Sequence, residues 1–139
     1  MQFITLVASL TAAASAAVAA PSAQEARSTS YLSGANSGDG TFYATGLGAC
    51  GITNTDTDYI VAVSQELFDS YPGAGANPNN NPVCNKKIKA TYGGKSVTVT
   101  VTDRCTGCSL TSLDFSPSAF DKLADESVGR IHNVKWAWA

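Results

Sequence analysis

The chain has 139 residues, room for one domain, and a net charge of −2 with only 14% charged residues. It carries no basic run, which argues against a nucleic-acid partner. A lightly charged, mildly acidic chain suits a neutral ligand such as a polysaccharide.

Phe3 to Val18 is apolar and Ala-rich, and Ala17-Val18-Ala19 fits small-x-small cleavage. A signal peptide over residues 1–19 is expected, although no Lys or Arg precedes the apolar run. That run is short for a membrane span, and no second one follows. The mature protein is therefore expected to be secreted, without a membrane partner. Residues 20–37 are rich in Ser, Ala and Gly and read as a disordered leader. A single folded domain is expected over residues 38–139. It is small, so disulfides would help its core.

Gly40 to Ala44 reads as a short strand with aromatic character. Thr45 to Asp58 is Gly-, Thr- and Asp-rich and reads as a loop pinned by Cys50. Tyr59 to Val63 is a buried strand by its continuous apolarity. Ser64 then caps a short helix over Gln65–Ser70, with Glu66 in its first turn. Tyr71 to Val83 is irregular, with three prolines and two glycines among asparagines, and long enough to carry function. Lys86 to Tyr92 is the next strand, and Gly93-Gly94 makes a two-residue hairpin turn into Lys95.

The stretch from Lys95 to Phe120 carries the clearest pattern. Val97, Val99 and Val101 alternate with Ser96, Thr98, Thr100 and Thr102, which specifies a half-buried strand. The strand ends on Asp103, and a C-x-x-C follows at Cys105 and Cys108. In Leu113-Asp114-Phe115, alternation puts the apolar pair inward and Asp114 on the open side. Ser116 is a good N-cap, Pro117 fits the first helical position, and Phe115 and Phe120 stand at staple positions. The backbone at Asp114 should therefore be rigid. Gly129 to Trp138 forms the last strand, with Val134, Trp136 and Trp138 on one side.

Val63-Ser64-x-x-Leu67-Phe68-Asp69 echoes Phe115-Ser116-x-x-Ala119-Phe120-Asp121, which hints at two similar halves. The echo sets Ala62 at the position of Asp114. The strand-to-helix scaffold thus does not itself demand an acid there. Four cysteines in a small secreted domain read as two disulfides with three possible pairings. Cys50–Cys84 with Cys105–Cys108 is favoured, the second closing the tight loop. A four-Cys zinc site would need a second short pair, which is lacking. With no metal constellation and no phosphate-binding Gly loop, no cofactor is expected. His132 reads as a surface strand residue without a partner.

About six strands and two short helices suit an all-β closed barrel, which removes sheet edges. Five motifs occur in order: G-T-F-Y at Gly40–Tyr43, A-C-G at Ala49–Gly51, V-T-D-R-C-x-G-C at Val101–Cys108, L-D-F-S-P-S-A-F at Leu113–Phe120 and G-R-I-x-x-V-x-W at Gly129–Trp136. Together they resemble the double-psi β-barrel proteins of the rare lipoprotein A (RlpA), barwin and expansin superfamily. Within it they are most similar to the fungal single-domain expansin-like proteins called loosenins. The resemblance implies a six-stranded double-psi barrel with a polysaccharide-binding groove. It implies that Asp114 is the functional carboxylate. It also implies that Asp103, Thr41, and Phe42 or Tyr43 line the same groove. Full expansins carry a second, aromatic-faced binding domain, and this chain stops at Ala139.

Glycoside hydrolysis normally uses two carboxylates. Hydrolytic relatives of this barrel place the second just after the T-x-Y strand, where this chain has Ala44-Thr45-Gly46-Leu47-Gly48 and no acid. Asp114 would then work with Asp103 or alone. The expectation is non-hydrolytic loosening of a cell-wall polysaccharide such as cellulose or chitin by a monomer. Asp103 is equally suited to bonding backbone amides of the C-x-x-C loop. Two other readings remain open: an inhibitor of papain-type cysteine proteases, and a lytic transglycosylase acting on peptidoglycan.

Overall fold

The computed structural model describes residues 30–139. The expected signal peptide at residues 1–19, and the first part of the expected leader, lie outside the described residues. Six strands close into a barrel in the order β1-β5-β2-β4-β3-β6. They are β1 (Asn36–Phe42), β2 (Ile60–Ser64), β3 (Lys87–Tyr92), β4 (Lys95–Cys105), β5 (Leu113–Phe115) and β6 (Ile131–Trp138). Two short helices, α1 (Gln65–Ser70) and α2 (Pro117–Asp121), follow β2 and β5. β1–β5 and β2–β4 run parallel; the other neighbours are antiparallel. Among the described residues no helix is long and apolar enough to cross a membrane.

The fold begins earlier than the expected Gly38. Tyr31 is fully buried, and its hydroxyl donates to the Leu67 carbonyl at 3.3 Å. Its own carbonyl accepts from Asn36 Nδ2 at 3.2 Å and from Trp138 Nε1 at 2.8 Å. Ser30 to Leu32 form a 3-10 turn, so the expected leader over residues 20–37 is folded structure from Ser30 on. Composition concealed this, because one aromatic anchor among small residues does not alter an average. β1 likewise starts at Asn36 rather than Gly40. Its glycines allow contact that side chains would block. A Cβ on Gly40 would meet Ile131, Phe115 and Val134 at 3.0–3.1 Å.

Gly38 is the tighter case. A Cβ there would stand 2.2 Å from the Thr111 carbonyl oxygen. Gly38→Ala must therefore push β1 away from the 109–112 segment. It is expected to destabilise the barrel by about 1–3 kcal/mol, the usual range for overpacking. Thermal denaturation checks it; a melting temperature unchanged from wild type would count against the close approach.

The core forms where the inward residues of all six strands meet. Val97, Val99 and Val101 of β4 face Ile88 and Ala90 of β3, Val61 and Val63 of β2, and Ile131, Val134 and Trp136 of β6, all buried. Each fully buried Val, Leu, Ile or Phe side chain contributes about 1.5–3 kcal/mol relative to exposure. α1 and α2 add Leu67, Phe68, Ala119 and Phe120. Ser64 caps α1 as expected, its Oγ accepting from Leu67 N at 3.0 Å. Ser116 has extended N-cap backbone but makes no side-chain cap bond. Its hydroxyl instead donates to the Asp58 carbonyl and accepts from Ile60 N, tying α2 to the start of β2.

The echo between the halves has a structural counterpart. In the antiparallel β2–β5 pair, Val61 faces Phe115, Ala62 faces Asp114 and Val63 faces Leu113. This register is symmetric about the Ala62–Asp114 pair, as a local two-fold requires. On their other edges Asp114 pairs with Thr41 and Ala62 pairs with Asp103. The two-fold therefore sets Thr41 and Asp103 at equivalent positions.

Candidate functional site

One cleft, of about 280 Å³, opens where four segments converge. β1 supplies Asp39, Thr41 and Phe42. The end of β4 and its following turn supply Cys105, Gly107, Cys108, Ser109 and Ser112. β5 supplies Asp114, and Arg130 stands just before β6. The volume lies near the small end of ordinary ligand sites, about 300–1,000 Å³.

Asp114 occupies the alternation expected for it. Leu113 and Phe115 are buried and Asp114 is half-buried on the cleft side. Thr41 Oγ1 donates to its Oδ1 at 2.9 Å, across the parallel β1–β5 pair. A carboxylate on a three-stranded support, fixed by a neighbouring hydroxyl, has little freedom to move. Burial pushes its carboxyl above the usual range, against the hydrogen bond from Thr41; the Asp103 charge adds to the rise and Arg130 opposes it.

Phe42 also lines the cleft while its ring packs on Phe120 at 5.0 Å between centroids. Tyr43 and Asp103 lie beside the cleft rather than in its wall. Tyr43 is half-buried, and burial together with the charges of Asp103 and Asp114 pushes its phenol well above the usual range. Asp103 Oδ1 accepts from Ala49 N and Arg104 N, both at 2.8 Å. It thus holds the Cys50 loop, where the sequence pointed to the C-x-x-C loop. Its position follows from an irregularity. Val61 pairs with Val101 but Ala62 pairs with Asp103, so Thr102 is an extra residue in β4. That extra residue turns Asp103 off the inward Val97-Val99-Val101 face, which strict alternation would have it continue. Thr102 Oγ1 is buried with no hydrogen-bond partner.

The disulfides are Cys50–Cys84 and Cys105–Cys108. The second forms part of the cleft wall, and its sulfurs lie within 4.8 Å of an Asp114 oxygen. Bonded to each other, those sulfurs offer no thiolate to a metal.

A family profile described as lytic transglycolase, for the double-psi β-barrel domain, matches residues 35–136. The chain belongs to the double-psi β-barrel family. Among solved double-psi barrels, the Streptomyces papain inhibitor superposes with a TM-score of 0.70 at 30% identity, covering 78% of this chain and 96% of that one. An expansin mutant of Clavibacter michiganensis in complex with cellohexaose gives a TM-score of 0.61 at 26% identity, covering 76% of this chain and 50% of that one. In sequence, the allergen Asp f 7 homolog of Arthroderma benhamiae is 40% identical over 114 residues, 71% of this chain. The papain inhibitor of Streptomyces mobaraensis is 37% identical over 95 residues, 66% of this chain. The matches take in 37% and 62% of those two proteins, so the chain spans only part of the length of its curated relatives.

Compared with the residues expected from sequence, this double-psi barrel adds Asp39, Arg130, Ser109 and Ser112 to the cleft. Asp39 had been assigned to the start of the domain without a role, and His132 to the surface without a partner. Arg130 NH1 donates to Asp39 Oδ2 at 3.1 Å, and His132 Nδ1 meets Asp39 Oδ1 at 2.8 Å. Asp39 N donates to Ser112 Oγ at 3.2 Å. Again an irregularity builds the cluster. Between the pairs Gly38–Val134 and Gly40–Ile131, two residues of β6 oppose the single Asp39. Asn133 takes φ +63°, a left-handed conformation that asparagine tolerates. The only sequence signal was an asparagine inside an otherwise β-patterned strand. The hydrogen bond from His132, helped by Arg130, holds Asp39 below the usual carboxylate range.

Proposed function

We propose that this protein is a secreted, expansin-like binder of cell-wall polysaccharide, of the loosenin type. It lays a cellulose- or chitin-like chain along the cleft and weakens that chain's bonding to its neighbours. The observation that carries this reading is Asp114 itself: a stiffly held, half-buried carboxylate in a polar cleft, with one oxygen bonded to Thr41. Its other oxygen has no printed protein partner among the described residues and is free to accept sugar hydroxyls. Thr41, Ser109 and Ser112 supply further polar contacts, and Phe42 an apolar wall for a sugar face. Strands wall the cleft on one side and a disulfide on the other, so binding requires little ordering of the protein.

The test is retention. Wild-type protein is expected to be depleted from solution by cellulose or chitin and released by soluble cellohexaose or chitohexaose. Lack of depletion by either solid would sink the reading. Peptidoglycan, with release of anhydro-sugars, is the corresponding trial of a transglycosylase.

A second reading has one observation behind it. The papain inhibitor superposes over 96% of its length, against 50% for the expansin. Inhibition of papain by this protein, undiminished by Asp114→Asn, would favour that role.

A further inference from the structure

Loosening by Asp114 leaves the Asp39 cluster without a task, although Asp39 lines the same cleft. We propose that Asp39 and Asp114 form an acid–base pair, and that the cleft hydrolyses the neutral β-linked glycan it holds. This inference rests on a glycan chain occupying the cleft and goes beyond holding it.

The placement comes from strand geometry. Asp39 and Thr41 are two residues apart on β1, so they point to one face. Thr41 is bonded to Asp114 at 2.9 Å. The two carboxylates are thus separated by about one strand repeat, roughly 7 Å. Inverting glycosidases set their two acids about 6.5–9.5 Å apart, which leaves room for the attacking water.

The surroundings divide the roles. Asp114 is half-buried and partly desolvated, so it holds its proton to higher pH and suits the acid. Asp39 is open to solvent and accepts from His132 and Arg130, so it stays ionised and suits the base. Both Asp39 oxygens keep lone pairs beyond those bonds, so one can take a proton from water. In the reaction that water's oxygen bonds to the anomeric carbon as Asp39 receives its proton. The Asp114 proton goes to the glycosidic oxygen as the old C–O bond breaks. The products are two shorter chains and one new reducing end of inverted configuration. Solvent then returns each carboxyl to its starting state.

The bulge in β6 fits this division. It brings His132 opposite Asp39, and Arg130 reaches the other oxygen, so the base is oriented by two donors. His132 and Arg130 are positioning residues.

The experiment incubates wild-type protein with cellohexaose and with chitohexaose and follows reducing ends and the anomer released. Wild type is expected to give reducing ends of inverted configuration on one of the two. Asp39→Asn and Asp114→Asn should each lower the rate by roughly a hundred- to ten-thousandfold, the usual contribution of one general acid or base. Circular dichroism verifies that both variants fold. Lys89→Gln, on the exposed face of β3, should match wild type. His132→Ala leaves both acids in place and should move the acid limb of the pH–rate profile upward. The groups facing Asp39 that set this limb are His132, Arg130 and Ser112; those facing Asp114 are Thr41, Asp103 and Arg130. A wild type that retains glycan but releases no reducing ends overturns hydrolysis and leaves binding standing. A wild type that retains none overturns both. Full activity in Asp39→Asn, or anhydro-sugars as products, overturns the pair.

Discussion

Asp114→Asn is expected to abolish glycan retention and, in the same protein, to raise the melting temperature at neutral pH. The functional half follows from the hydrogen bonds a carboxylate makes. Bonds to a charged group contribute about 1.5–3 kcal/mol each, so losing one lowers affinity by roughly ten- to a hundredfold. Asparagine keeps an oxygen for Thr41, so the β1–β5 junction should persist. The stability half follows from burial. Asp114 has its carboxyl pushed up in the folded protein, chiefly by desolvation. A group raised in this way binds its proton more tightly when folded. Wild-type stability therefore falls as pH rises from the unfolded value, about 3.9, through the raised folded value. Above that the full penalty of the buried charge is present, and asparagine removes it. The two melting curves should converge as pH falls below that range. Retention assays and thermal melts at neutral and acid pH check both halves. Unchanged retention, or a variant less stable at every pH, would contradict the account.

Removing the Cys50–Cys84 disulfide, as Cys50→Ser with Cys84→Ser, should produce the largest loss of stability. The bond links residues 34 apart, with Cα atoms 5.8 Å apart. Chain entropy for a loop of that length gives about 4 kcal/mol. For a domain near a hundred residues this is a fall in melting temperature of roughly 15–30 °C. The bond also secures functional neighbours. The Cys50 loop donates from Cys50 N to the Thr102 carbonyl at 3.1 Å and from Ala49 N to Asp103 at 2.8 Å. The Cys105–Cys108 bond closes residues only three apart. The same relation gives about 2 kcal/mol there, so its removal should disturb the cleft wall more than the fold. Calorimetry of the two double variants tests the order; a larger fall for the Cys105–Cys108 variant would refute it.

Much of the barrel was legible along the chain because its signals are local. The alternation of β4, the apolar run of β2 and the Gly93-Gly94 turn each depend on a few neighbouring residues. So does the strand-to-helix step at Leu113–Phe120, and it alone placed Asp114 on the open side. The cysteine count limited the pairing to three choices, and the favoured one is the one found. What went unread depends on contacts far apart in sequence. Tyr31 is held by Leu67 and Trp138, so nothing beside it marked the start of the fold.

The amino-acid order by itself determined the elements, the closed all-β class and the exposed side of Asp114, because periodicity and turn chemistry are properties of adjacent residues. Only the tertiary structure decided where Asp103 and Asp39 point. Each depends on one extra residue in a strand pairing, Thr102 in β4 for the first and the His132-Asn133 step in β6 for the second. A pairing shifted by one residue reverses which face a side chain takes, and register is set by the partner strand. That is how Asp39 and Arg130, 91 residues apart, come to share a cleft with Asp114.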